Sequence, residues 1–150
     1  MREILFRGQT RRYGEKVRIG DGAKMPGHWV YGGVLQGAGS HSVIYGGENV
    51  DDIGEGLEKH VVYTDTLGQY TGRTDLYGKK MFEGDIFIVE LEDSTGEKWQ
   101  ETKKVHYNSD ECCWYPMRWD EECDLCEGWT EIKSIEVIGN KYDNPELLEV

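Results

Sequence analysis

The chain has 150 residues, with 29 Asp and Glu against 17 Lys and Arg, a formal net charge of −12 and a pI near 4.7. That balance argues against a sequence-independent grip on nucleic acid, which depends on Lys and Arg displacing counterions from phosphates. Its 37% hydrophobic content with 20 Gly and 3 Pro suits one domain over residues 1–150, rich in turns, because each Gly inside a helix costs about 1 kcal/mol against Ala.

Residues 3–7 (Glu-Ile-Leu-Phe-Arg) predict a first strand, ended by Gly8. Residues 8–27 read as a charged, glycine-bearing loop with one weak strand at Val17 and Ile19. The first 25 residues hold seven Arg and Lys against Glu3, Glu15 and Asp21, so a basic edge sits beside a more acidic remainder. The start of the chain lacks the apolar segment of a signal peptide, and no run approaches the roughly 18 apolar residues of a membrane span. A cytoplasmic protein without membrane contact is therefore expected, its four Cys held as thiols or metal ligands rather than disulfides.

Residues 28–35 predict a strand bent at Gly32-Gly33, as a bulge or close backbone approach would bend it. The stretch 37–42 completes no phosphate-binding glycine motif and reads as a loop tip. Short strands follow at 43–45 and 60–63, separated by a solvated acidic loop, and Thr64 or Asp65 suits a brief helical turn. Around residues 68–91 the turn chemistry and the core-forming sequence meet. Gly72, Asp75 and Gly78 supply turn positions and Glu83-Gly84-Asp85 a second corner. Ile86-Phe87-Ile88-Val89, the densest apolar run, reads as a strand buried on both faces.

Beyond Leu91, a polar connection leads to a strand over 99–107, then one over 112–115 before Pro116. An acidic loop covers 120–128. The last strands fall at 129–132 and 134–139, and Asn144-Pro145 starts one helical turn. Strands at this spacing without helical periods indicate an all-β small barrel or sandwich with at most short helical turns.

Several blocks together resemble the YopX family of bacteriophage and prophage proteins. They are Met1-Arg2-Glu3-Ile4 with Phe6-Arg7, Trp29-Val30-Tyr31-Gly32, Gly68-Gln69-Tyr70-Thr71-Gly72 with Asp75, Gly78-Lys79-Lys80, and Phe82-Glu83-Gly84-Asp85-Ile86. Glu136-Val137-Ile138-Gly139-Asn140 and Tyr142-Asp143-Asn144-Pro145-Glu146-Leu147-Leu148 complete the set. Where the family usually has Leu between Gly72 and the acid, this chain has Arg73-Thr74. The resemblance implies an all-β fold and a phage or prophage origin. It brings no reaction and no site residues, and a fold alone does not supply a function.

Three groupings could carry chemistry. Cys112, Cys123 and Cys126 with His106 offer soft ligands, and Cys123-x-x-Cys126 is the usual knuckle for structural zinc, but only half of the four-ligand pattern is present. No cofactor is the primary expectation and zinc the alternative. Trp114, Trp119 and Trp129 crowd an acidic segment, which favours a protein-partner surface over a nucleic-acid platform. His28, His41, His60 and His106 join no recognisable catalytic signature, so no enzyme is expected. The reading is a non-enzymatic protein-interaction module, with a host or phage protein or a second copy as partner. The alternative is a metal-stabilised nucleic-acid accessory using the basic N-terminal segment.

Overall fold

The computed structural model describes residues 3–12, 26–46, 58–110, 112–115 and 130–149. The protein is all-β, with several antiparallel sheets, none closed into a barrel among the described residues. Helical structure there is confined to two 3-10 turns, Thr64–Thr66 and Pro145–Leu148. The chain divides into two compact units, Met1–Tyr70 and Thr71–Val150.

The first unit contains β1 (Phe6–Arg11), β2 (His28–Leu35), β3 (His41–Gly46), β4 (Glu58–Tyr63) and the opening residues of β5 (Gly68–Thr74). Their order is β4-β3-β2-β1-β5, antiparallel throughout. In a flat sheet the outer strands would stand about 19 Å apart. Yet β4 reaches β5 through Thr64–Thr66 and Leu67, which span only about 13 Å at 3-10 and extended rises. The sheet therefore curls, and β4 comes into contact with β1.

Gly8 shows how tightly. A Cβ there would lie 2.8 Å from Val62 Cγ2, so β1 runs through the glycine expected to end it. The interior gathers Val30, Ile44 and Val62, with Phe6, Val34 and Leu67 packed against them. Polar groups are enclosed too. Thr66 Oγ1 donates to Tyr63 O at 2.6 Å and accepts from Gln9 N–H at 2.9 Å. The predicted bend in β2 falls at Gly32, where a Cβ would meet Tyr45 O at 2.0 Å.

The second unit contains the later residues of β5, then β6 (Lys80–Phe82), β7 (Asp85–Asp93), β8 (Lys98–Lys104), β9 (His106–Asn108), β10 (Cys113–Tyr115) and β11 (Thr130–Asn140). Strand β7 lies between β11 and β8. It extends past the predicted apolar run because its residues alternate. Phe87, Val89 and Leu91 are fully buried on one face, while Ile88, Glu90 and Glu92 are half-buried on the other. Ile86 is also buried, so two-sided burial holds only at the start of the strand. Met81, Val105 and Val137 complete this core, and Trp99, Trp114, Ile132 and Ile135 pack against it.

Two carboxylates shape the corners. Asp85, 2% exposed, accepts the Phe82 N–H on Oδ2 at 2.8 Å, and Gly84 sits at φ +90, a conformation that suits glycine. Val105 closes the same corner, its N–H donating to Asp85 O and its carbonyl accepting from Gly84 N–H. That exchange falls at the break dividing the predicted strand 99–107 into β8 and β9. Asp75, 8% exposed, accepts the N–H groups of Tyr77 and Lys79 on Oδ1 and of Val137 on Oδ2.

The two strands expected over 129–139 are one, β11, whose register shifts between Ile132 and Ser134. Lys133 occupies that irregularity. Glu131 and Glu92 stand opposite each other across β11 and β7, a like-charge pair. Lys133 Nζ lies 2.9 Å from Glu131 and 3.3 Å from Glu92, and these contacts raise its pKa, the Glu131 hydrogen bond most. At the end of the chain, Asn144 does not cap the 3-10 turn with its side chain. Its Oδ1 accepts from Asn140 N–H at 3.3 Å, over Gly139, where a Cβ would lie 2.5 Å from that oxygen.

Candidate functional site

The described part of the predicted site is the β9–β10 hairpin, with Cys113 opposite Asn108, Trp114 opposite Tyr107 and Tyr115 opposite His106. Asn108 Oδ1 accepts the Asp110 N–H at 3.0 Å, the side-chain turn that Asn forms readily. Cys112 closes the turn at φ +54, the left-handed region that non-glycine residues seldom occupy. It is exposed, and its thiol donates weakly to Ser109 O at 3.6 Å. Because β10 begins at Cys113, the two adjacent Cys lie on a turn and a strand, where one strand was expected over 112–115.

The aromatic pair divides its roles. Trp114 is half-buried against the β7 core, and Tyr107 is 49% exposed. Their ring centroids lie 5.2 Å apart at 71°, edge to face, the geometry that the ring quadrupoles favour. Trp114 therefore anchors the hairpin while Tyr107 is presented by it. The sequence pointed to Trp114 and passed over Tyr107, the last position of the strand predicted over 99–107. Trp119 and Trp129 lie outside the described residues.

The soft-ligand set is only partly visible. His106 Nδ1–H donates to Lys104 O at 3.2 Å, and the residue stands opposite Tyr115, three positions along from Cys112. Three strand positions span roughly 10 Å. Two ligands of one zinc ion lie within about 4.5 Å of each other. The hairpin thus does not bring His106 and Cys112 together, and among the described residues no three metal-ligating side chains gather. Cys123 and Cys126 lie outside the described residues.

Of the basic N-terminal segment, Arg7 and Arg12 are engaged within their own unit, and Arg2, Lys16, Arg18 and Lys24 lie outside the described residues. Arg7, 5% exposed, holds its guanidinium 4.4 Å from the Trp29 ring centroid. Arg12 lies 4.3 Å over Tyr63 and 2.9 Å from Asp65. Ser40 Oγ lies 2.9 Å from His41 Nδ1, and the His41 ring leans on Tyr63 at 5.1 Å. Among the described residues no carboxylate meets His41 as the third member that would orient a base. No helix there is long and apolar enough to cross a membrane.

The blocks that carried the family resemblance fall mainly on framework. Asp75, the corner at Gly84 and Asp85, and the Gly139-Asn140 contact with Asn144 all tie backbone to backbone. No curated protein matches the chain. The family model described as YopX protein matches residues 24–149, nearly the whole length. The chain therefore belongs to the YopX family.

Proposed function

We propose that this protein is a phage- or prophage-encoded accessory, acting in the host cytoplasm by binding another protein rather than by catalysis. Family membership is consistent with such a phage-type role. The observation that carries the binding part is Tyr107, 49% exposed on a hairpin whose opposite ring, Trp114, is packed into the core. A rigidly mounted aromatic side chain offers contact area while little rotamer freedom remains to be lost on binding. Trp119 and Trp129, the other candidates for a partner surface in the sequence, lie outside the described residues. The partner is a host or phage protein, or a second copy of the chain.

Affinity capture with tagged wild-type protein and with Tyr107→Ser tests this reading. Exposure of Tyr107 means the substitution should leave folding intact, checked by circular dichroism. Partners present with the wild type and at least tenfold depleted with the variant support the surface, and an unchanged partner set removes it. The engagement of Arg7 and Arg12 inside the first unit tells against the metal-stabilised nucleic-acid alternative. Stoichiometric zinc in the purified protein, together with salt-dependent binding of DNA or RNA, would reinstate that alternative.

A further inference from the structure

Between β5 and β6 the chain makes a turn that is tied down from inside and apolar on its outside. The carboxylate of Asp75 holds the N–H groups of Tyr77 and Lys79 at 2.9 Å each and that of Val137 at 3.0 Å. Leu76 N–H donates to Ile135 O at 2.9 Å, and Gly78, at φ +80, donates its N–H to Asp75 O at 3.0 Å. This fixed loop leaves Leu76 53% and Tyr77 73% exposed. The turn itself requires neither side chain, since Asx turns favour small and polar residues.

Along the sequence from Gly72 to Phe82 the charge is opposite in sign to that of the whole. Arg73, Lys79 and Lys80 are exposed, and Asp75, turned inward, is the only acid between Gly72 and Phe82. A chain of net charge −12 thus carries three exposed cations along this stretch, of which Arg73 and Lys80 already have interaction partners, beside two adjacent apolar side chains.

We propose that the 75–79 turn is a docking surface, separate from the β9–β10 hairpin, for a carboxylate-rich segment of another protein. Tyr77 and Leu76 cover apolar side chains of that segment, and Lys79 faces its carboxylates. The loop is preformed, so binding need not order it, and opposite charge steers the encounter. Nucleic acid fits less well. A single aromatic provides no succession of stacking platforms, and the net charge of −12 opposes a polyanion.

The test uses the full chain and three probes in fluorescence anisotropy: a labelled Glu- and Asp-rich peptide carrying Leu and Trp, its Gln and Asn counterpart, and a thymine oligonucleotide. The acidic peptide should bind, weaken as salt rises, and lose at least tenfold in affinity with Tyr77→Ser combined with Lys79→Glu. The amide peptide should bind at least tenfold more weakly than the acidic one, and Tyr107→Ser should leave the affinity unchanged. Both altered side chains are exposed, and Lys79→Ala alone, with a several-fold loss, provides a milder second variant. Failure of the acidic peptide to bind, or equal binding by the variants, overturns the proposal. Preference for the oligonucleotide overturns it in favour of nucleic acid, and a salt-sensitive dimer dissolved by the same substitutions overturns it in favour of a second copy.

Discussion

The two units bury different things. The second encloses an apolar cluster of Met81, Phe87, Val89, Leu91, Val105 and Val137, and keeps its buried carboxylates, Asp75 and Asp85, at the corners. Among the described residues, the first has a smaller cluster, Val30, Ile44 and Val62, and encloses Gln9, Ser42, Thr66 and Arg7 besides. An apolar cluster contributes through area removed from water, about 25 cal/mol per Å², whatever the orientation of its members. A buried polar group contributes only while its partner is in place, and its loss costs more than its presence provided. The second unit should therefore be most sensitive to lost volume and the first to lost hydrogen-bond partners.

The largest expected effect tests the first half of that statement. Phe87 is fully buried on the central strand of its sheet, opposite Val137 on β11. Phe87→Ala should destabilise by about 3–5 kcal/mol, the cost of the lost ring plus the cavity left behind. Urea unfolding followed by tryptophan fluorescence measures it. A loss below 1 kcal/mol would mean that β7 does not organise the second unit.

Next comes the corner carboxylate. Asp75→Ala removes the acceptor for three backbone N–H groups at once, with an expected loss of about 2–4 kcal/mol. Asp75→Asn keeps one oxygen and should recover part of it. Hydrogen exchange at Val137, Tyr77 and Lys79 should speed up in both variants, and more in the alanine form. Equal exchange in wild type and Asp75→Ala would show that the carboxylate does not hold the turn.

The same corners show what could be read from the sequence. Turn residues announced Gly78, Asp75 and Asp85 because their chemistry is local: a carboxylate reaching an amide two to four positions away is visible in a short window. Gly8 is the opposite case. It looks like a strand end, yet it is there because Val62 passes over it, a contact that only the curled sheet creates. Lys133 looked like a gap between two strands and is an irregularity within one. For the site, sequence proximity suggested that Cys112 and His106 belong together, but antiparallel pairing sets His106 opposite Tyr115. The exposure of Leu76 and Tyr77 was hidden for the same reason, since what lies over a turn is decided by β11, some 60 residues further on.

In the first unit, Thr66→Val keeps the shape of the side chain and removes the oxygen that joins Tyr63 O to Gln9 N–H. The expected loss is about 1–2 kcal/mol, out of proportion to the atoms changed. An effect as small as a few tenths would mean that the first unit, like the second, is most sensitive to lost apolar volume.

The smallest effect concerns an exposed corner of the second unit, and it separates buried from exposed carboxylates. Asp93 Oδ1 accepts from the Thr95 hydroxyl, from Thr95 N–H at 2.8 Å and from Glu97 N–H at 3.0 Å, holding the β7–β8 connection. The Thr95 hydroxyl is the largest influence, and with the backbone donors it keeps the Asp93 carboxyl below the ordinary carboxylate range. The unfolded chain binds that proton more readily, so the contribution to stability is fully present above the ordinary value and disappears as pH falls through the lowered one. Titration of the Asp93 carboxyl by NMR should show the depressed midpoint, and Thr95→Ala should move it upward. Because the group is open to solvent, the connection should loosen in acid without unfolding the strands it joins. If instead acid released the β7 core at the same pH as this connection, the corner would be part of the cooperative interior, and the distinction between corners that hold the core and corners that merely close a hairpin would fail.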